Sequence, residues 1–384
     1  MKISVIGGGS TYTPELINGF LAMVDSLSLK ELWLMDIDKA RLDIVGGFAQ
    51  RMVKAKGQPF KVVLSLNQRE AIAGAAYVIT QLRVGQMPAR RGDEYLGLRH
   101  GLIGQETTGV GGMAKALRTI PVILDIAKDI RETCGQGQGR RGQQGQGQRG
   151  QQGQRQRGQQ GQGQALPLLC NFTNPAGLVT EALARYAPEI PAVGVCNVGI
   201  TTKMGILDEL EKATGSRVDS ERAALNTLGL NHLTWHRGFT IDGEEMWPMI
   251  FPAYVESLKA ESEPEWDVQT IESLGMIPNY YLQYFYYTDK KLEAQKKWPP
   301  SRAEEVMEIE KDLLRQYADP ALIKPPADLM KRGGAYYSTL ATQLINSHHN
   351  NLGQVHVVNV RNNGAVKDWP ADWVLELPAK VDRR

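Results

Sequence analysis

Cysteine is scarce in this 384-residue chain: Cys134, Cys170 and Cys196 are an odd number, without the close pairs of a zinc ribbon. That excludes a disulfide framework and points to a reducing compartment, so a cytoplasmic location is expected. No run reaches the roughly 18 apolar residues that a spanning helix needs, and no membrane partner is expected. The basic and apolar regions of a secretory signal are missing too, since the chain opens directly on a strand-like run, Lys2 to Ile6. Nor is there a large excess of charge of one sign. The net charge is +2, and the five arginines that make it positive (Arg140, Arg141, Arg149, Arg155, Arg157) all lie in one tract without acids. The remainder carries −3, so the composition gives no reason to expect a nucleic-acid partner.

That tract is compositionally extreme. All 30 residues from Gly135 to Gln164 are Gly, Gln or Arg, which cannot bury a core and predicts a disordered insertion. It interrupts a helix-to-strand connection, where extra length raises loop-closure entropy only slowly. A solvated loop and an RNA-binding arm are the two readings of it.

Apolar residues make up 42% of the chain, enough for two domains with real cores. Strand-like runs at Lys2–Ile6, Leu32–Met35, Phe60–Leu66, Ala75–Leu82, Ala165–Asn171 and Ala192–Val195 alternate with helical periodicity at Pro14–Leu27, Asp38–Lys54 and Met113–Glu132. This rhythm predicts an α/β, Rossmann-type doubly wound parallel sheet, lactate/malate dehydrogenase-like, over residues 1–195. Beyond Cys196 the rhythm changes. Ile200–Leu210 reads as a connecting helix, Ala224–Asp242 as strands around a turn, Arg302–Tyr317 and Ala327–Ile345 as helices, and Val355–Val360 as a late strand. A C-terminal α+β substrate domain is expected over 196–384.

The first strand ends in Gly7-Gly8-Gly9, followed by Ser10, Thr11 and a helix, and the second strand ends on Asp36. Glycines there permit a tight turn and close approach of a pyrophosphate to the helix N-terminus, while an acid after the second strand suits the adenosine ribose. The third glycine of the usual fingerprint is Tyr12, and a merely structural turn is the competing reading. Asn171 and Asn174 follow the fifth strand, either facing the nicotinamide end of a dinucleotide or serving turn chemistry. Cys196 and His232 could bind a borderline metal such as Mn²⁺ or Zn²⁺, although two ligands 36 residues apart are nonspecific and a lone cysteine is ordinarily buried and inert.

Taken in order, VIGGGSTYTPE (Val5–Glu15), GLIGQETTGVGG (Gly101–Gly112), NFTNPAG (Asn171–Gly177), GVCNV (Gly194–Val198), GLNHL (Gly229–Leu233), RAEEVMEIEK (Arg302–Lys311), KRGGAYYS (Lys331–Ser338) and VNVRNNG (Val358–Gly364) resemble the family 4 glycoside hydrolases, most closely the 6-phospho-β-glucosidases. The resemblance covers nearly everything outside the tract. This NAD-dependent family is an exception to paired-carboxylate glycoside hydrolysis. It implies NAD and Mn²⁺ (or another divalent ion) as cofactors, and a redox-assisted elimination: C3 oxidation, C2 deprotonation, loss of the aglycone from C1, addition of water and re-reduction.

Matched position by position, the resemblance implies Cys196 and His232 as metal ligands and Tyr281 as the base, with Tyr280 the adjacent alternative. It further implies Glu106 as an acid near the base, and Arg90, Asn174 and Arg302 as substrate contacts. Gly7, Gly8, Gly9, Ser10, Thr11 and Asp36 would hold the NAD. Asn197 follows Cys196 where the phospho-α-glucosidase branch tends to have an aspartate proton donor, which favours the β-branch. His236 and His348 are expected only to pack. The implied partner is a phosphorylated disaccharide such as cellobiose 6-phosphate, with assembly as a homodimer or homotetramer. The chain stops at Arg384, where relatives continue for several more helices, and this is expected to bear on stability, oligomerisation and activity. The rival functions are a 2-hydroxy-acid-type NAD dehydrogenase, another family specificity (phospho-α-glucosidase or α-galactosidase), and a nonenzymatic sugar-phosphate or RNA-binding module.

Overall fold

The structure, a computed structural model, describes residues 1–135, 165–334 and 336–383. From residue 136 to residue 164 the Gly/Gln/Arg tract, expected to be a disordered insertion, lies outside the described residues.

Six parallel strands form the first half: β1 (Lys2–Ile6), β2 (Glu31–Met35), β3 (Lys61–Ser65), β4 (Tyr77–Thr80), β5 (Leu168–Asn171) and β6 (Ala192–Gly194). Between them run α1 (Thr13–Ala22), α2 (Lys39–Ala55), α3 (Gln68–Ile72), α4 (Gln86–Arg99), α5 (Gly109–Cys134) and α6 (Ala176–Tyr186). All four residues of β4 are buried, as expected of a strand covered by helices on both faces. The order β3-β2-β1-β4-β5-β6 is that of a doubly wound dinucleotide-binding sheet, with its crevice between β1 and β4.

The second half contributes α7 (Asn197–Thr214), β7 (Ala223–Leu230), β8 (Leu233–Ile241), β9 (Glu244–Glu245), α8 (Trp247–Ala260), α9 (Val268–Leu274), β10 (Ile277–Pro278), α10 (Gln283–Tyr286), α11 (Thr288–Gln295), α12 (Arg302–Tyr317), α13 (Tyr337–Asn350), β11 (Gln354–Arg361) and β12 (Val374–Val381). Its strands continue the same sheet: β11 lies antiparallel to β6, and β12, β7, β8 and β10 follow outward. In β7 buried and more exposed residues alternate, the period-two pattern of a strand with one covered face. Meanwhile α12 and α13 return to the first half. Phe48 of α2 stacks on Tyr317 of α12 with ring centroids 4.8 Å apart, a contact worth about 1 kcal/mol beyond its burial. Gly19 of α1 lets α13 approach closely, since a Cβ there would stand 2.8 Å from the Cβ of Ser338. Leu340 and Leu344 of α13 share one core with Ile3, Val5 and Ile17.

Two expected helices differ. The first stops at Ala22 rather than Leu27. The expected Ala327–Ile345 helix is a 3-10 segment, Ala327–Arg332, separated from α13 by Gly333 at φ +88° and Gly334 at φ +87°. That backbone suits glycine and ends a helix, so apolar spacing on either side is not one continuous helix. Helices α3, α4, α6, α8, α9, α10 and α11 were not anticipated. Charge on α4 and prolines at positions 248 and 252 in α8 weaken their periodicity.

Candidate active site

A cavity of about 580 Å³ opens at the C-terminal ends of the parallel strands and is lined from both halves of the chain. Gly7, Gly9, Ser10 and Asp36 lie at one end, and Arg90, Glu106, Asn174, Tyr281 and Arg302 also line it.

The glycine turn is built by close backbone approach. Gly7 and Gly8 both donate to the Met35 carbonyl, at 2.9 and 2.8 Å. A Cβ on Gly7, which sits at φ +94°, would come 2.7 Å from the Gln81 carbonyl oxygen. Asp36 braces the turn, its Oδ2 accepting from the Gly9 N–H at 2.8 Å and its Oδ1 from the Asp38 N–H at 3.0 Å. Four expected cofactor residues do not line the cavity: Gly8 and Thr11 of the turn, and the buried pair Cys196 and His232. Gly8 packs against Leu34, and Thr11 is fully buried behind the turn, where its hydroxyl donates to Glu310 at 3.1 Å. Tyr12 occupies the third-glycine position and donates its hydroxyl to the Gly334 carbonyl, tying the turn to the loop before α13. Arg332 of that loop is held by Glu310, which also takes Arg41.

Glu106 is the hub of the cationic wall. It pairs with Arg83, with Lys115 at 2.5 Å and with Arg90 at 3.2 Å. Burial alone would raise its carboxyl, but these three cations hold it well below the usual carboxylate range. It is therefore a fixed anion, which suits charge organisation better than proton transfer. Burial lowers the Lys115 ammonium to about 8 despite the pull of Glu106. Gln295 fixes the loop carrying Glu106, pairing its side-chain amide with both backbone groups of Gly104 at 2.8 and 2.9 Å. Arg90 also binds Glu94 at 2.9 Å, and Glu94 in turn accepts from Ala303 N–H at the start of α12. Arg302, the first residue of α12, pairs with Glu305 and donates to the Lys331 carbonyl, leaving its guanidinium on the exposed rim.

Cys196 and His232 meet beside this wall. Cys196 caps α7, and His232 lies in the two-residue turn Asn231-His232 between β7 and β8. Its φ of +67° is uncommon outside glycine, the kind of backbone strain that clusters at functional sites. Sγ lies 3.9 Å from Nδ1, and Nδ1 also meets Asn231 Oδ1 at 2.8 Å. Burial lowers His232 to about 4, so its ring is neutral, as a metal ligand requires. Burial pushes the Cys196 thiol up, Glu376 adds to this, and the N–H groups of Val198 and Asn197 and the side chain of Asn231 oppose it. A buried thiol beside a neutral imidazole fits a borderline divalent ion. Among the described residues no group of three or more His, Cys, Asp or Glu could hold a metal.

Tyr281 stands over this pair, with ring centroids 4.3 Å from His232. Asn279 sets its position by accepting from Tyr281 N–H at 3.1 Å while donating to Thr234 Oγ1 of β8 at 3.0 Å. Burial pushes the Tyr281 phenol up, Cys196, Tyr284 and Glu106 add to this, and Arg90 opposes it. Neighbouring Tyr280 is half-exposed and lies outside the cavity. Asn171, the last residue of β5, is buried, accepting from Thr80 Oγ1 at 2.9 Å and Thr173 N–H at 3.1 Å, and does not line the cavity. His236 packs as expected, bonded to Thr227 Oγ1 at 2.9 Å, and His348 meets the Tyr77 hydroxyl at 2.8 Å.

Arg83, Lys115, Arg332 and Glu310 line the cavity without having been singled out from sequence. Lys115 carried a signal: it falls on the buried stripe of α5 with Thr119, Ile123 and Ile130, where a charge is out of place.

The sequence matches the family 4 glycosyl hydrolases over residues 2–137 and 167–212, and the C-terminal domain of that family over 227–384. A probable 6-phospho-β-glucosidase of Bacillus subtilis is 40% identical, over 98% of this chain and 79% of its own length. A 6-phospho-β-glucosidase of Escherichia coli is 38% identical, over 100% of this chain and 80% of its own. The solved structure of the Thermotoga maritima 6-phospho-β-glucosidase with manganese, NAD⁺ and glucose-6-phosphate superposes with a TM-score of 0.81 at 34% identity, covering 99% of this chain and 81% of that one. Family matches that together span both halves, with relatives this similar over the full chain, establish that this chain belongs to the family 4 glycosyl hydrolases.

Proposed function

We propose that this chain hydrolyses 6-phospho-β-glucosides, such as cellobiose 6-phosphate, with NAD⁺ and Mn²⁺ as cofactors. The observation that carries the reading is one cavity that joins the glycine turn and Asp36 to Tyr281, which stands over Cys196 and His232. In this reading Gly7, Gly9 and Ser10 approach the dinucleotide, and Cys196 and His232 hold the metal. Bound together, these cofactors would supply reversible hydride acceptance at C3 and a positive charge at the C2 and C3 oxygens that also favours the Tyr281 phenolate.

The protein's own part is positioning and proton handling. Tyr281 Oη takes the C2 proton, and the burial that raises its phenol keeps that proton on the tyrosine until the neighbouring charge changes. Arg83, Arg90 and Lys115 outnumber Glu106 and Glu94, which leaves a net positive wall suited to a phosphate dianion. Asn174 and Arg302 complete the substrate contacts. Asn197, beside Cys196, has no proton to donate as an acid, in keeping with a β-linked leaving group. Among the described residues no helix is long and apolar enough to cross a membrane. A phosphorylated sugar is retained inside the bilayer that encloses it, so the work is assigned to the cytoplasm, by a homodimer or homotetramer.

The test is release of p-nitrophenol from p-nitrophenyl 6-phospho-β-glucoside with NAD⁺ and Mn²⁺ present. Turnover without lasting NADH absorbance is expected, and EDTA should abolish it until Mn²⁺ is restored. Stoichiometric NADH accumulation would make the protein a dehydrogenase, and turnover indifferent to both cofactors would overturn the reading.

A further inference from the structure

Behind the Cys196–His232 pair sits a carboxylate that none of the proposed steps uses. Glu376 lies on β12 opposite Gly229 of β7 and Asn359 of β11, and is only 1% exposed. Its Oε1 accepts from Asn231 Nδ2 at 3.3 Å, and the His232 backbone and the Asn359 side chain also lie against the carboxyl. Neither a lysine nor an arginine is paired with it among the described ion pairs. An unpaired buried carboxylate is unfavourable for folding, and an apolar residue would serve a purely structural role better. What it touches gives it a use. Asn231 bridges Glu376 to His232, because its Oδ1 meets Nδ1 at 2.8 Å, and the same side chain reaches Cys196.

We propose that Glu376 is a positioning residue for the metal-binding pair, acting through Asn231. An asparagine amide can face either way, but Oε1 of Glu376 accepts from it whether the carboxyl is ionised or carries its proton on Oε2. Glu376 therefore draws Nδ2 toward itself and turns Oδ1 toward His232. That oxygen lies against Nδ1 and holds the imidazole in one orientation beside the Cys196 thiol. Metal-binding histidines commonly have one nitrogen held by such an acceptor, and loss of that partner weakens metal binding by roughly 10–100-fold. The inference rests on the metal reading of Cys196 and His232.

The experiment titrates Co²⁺ into the full chain and follows the near-ultraviolet thiolate-to-cobalt absorption, with NAD⁺ binding measured in parallel by fluorescence quenching. Glu376→Leu should weaken Co²⁺ roughly 10–100-fold and alter the band, with NAD⁺ affinity unchanged. Glu376→Gln, which keeps an acceptor of the same length, should lose less. A Leu variant with wild-type cobalt affinity and an unaltered band would overturn the proposal. Should that variant fail to bind NAD⁺, Asn231→Ala decides: a comparable loss supports the link, and undiminished affinity removes it. A wild-type protein without a thiolate-to-cobalt band would overturn the metal reading itself and this inference with it, so the two failures are distinguishable.

Discussion

Replacing Lys115 by methionine should make the protein more stable and less active. The ammonium is 4% exposed and 2.5 Å from Glu106, and burial lowers it to about 8 from an ordinary 10.5 even with that partner present. The value already includes the attraction of Glu106, so the difference is a net burden of about 3 kcal/mol on the folded state at neutral pH. Arg83 and Arg90 would still neutralise Glu106 in the variant, and methionine fills a similar volume. Buried ions replaced in this way leave stability unchanged or raise it by roughly 1–4 kcal/mol. The pH dependence has a definite sign. Below pH 8 both folded and unfolded wild type are protonated here, and the whole penalty applies. Between pH 8 and 10.5 the folded state has lost a proton that the unfolded chain retains, so wild-type stability rises relative to the variant. Above 10.5 the advantage of methionine is gone. Chemical denaturation of both proteins across this range measures the gap, and kcat/KM on the phosphoglucoside should fall at least about tenfold as the wall loses its net charge. A variant less stable at neutral pH, or a gap constant with pH, would refute the reasoning.

Tyr281→Phe should lower kcat by roughly 10²–10⁴-fold with NAD⁺ affinity unchanged, whereas Tyr280→Phe should stay near wild type; equal effects from the two would reassign the base. Gly8→Ala pushes a Cβ to 2.9 Å from the Leu34 Cα, so NAD⁺ affinity and stability should both fall, the latter by about 1–3 kcal/mol. Gly205→Ala on α7 meets open space and should do neither harm, and denaturation with NAD⁺ titration checks both variants.

The parallel half was legible because its signals are local. Lys2–Ile6, Gly7-Gly8-Gly9 and Asp36 sit within one strand-helix-strand unit, and their order alone specifies a crevice. Tyr12 was the exception. Its place in the fingerprint is explained by Gly334, far along the chain, whose carbonyl receives its hydroxyl. Cys196 and His232 read from the residues only as a nonspecific metal pair, and Tyr281 could be named only through the resemblance, since nothing in their spacing brings a hairpin turn, a helix start and a 3-10 turn together. The cationic wall stayed hidden for a related reason: Arg83, Lys115 and Arg332 acquire their meaning from Glu106 and Glu310, partners that only the folded arrangement supplies. The glycine break before α13 went unnoticed because apolar spacing continues across it, although Gly333-Gly334 stood in plain view.

The return of α13 onto α1 carries a consequence for how the cofactor end comes into being. Glu15 of α1 accepts from Ser338 N–H at 3.0 Å, Gly19 is bare so that α13 can press against it, and Tyr12 is anchored by the loop preceding α13. During synthesis the nucleotide fingerprint leaves the ribosome hundreds of residues before the segment that seats it. A nascent first half has the letters of a dinucleotide site with one wall still unbuilt. The signature at residues 7–15 is thus completed by α13 and the loop before it, and a first half cut away from α13 would be a different object from the half embedded in the whole.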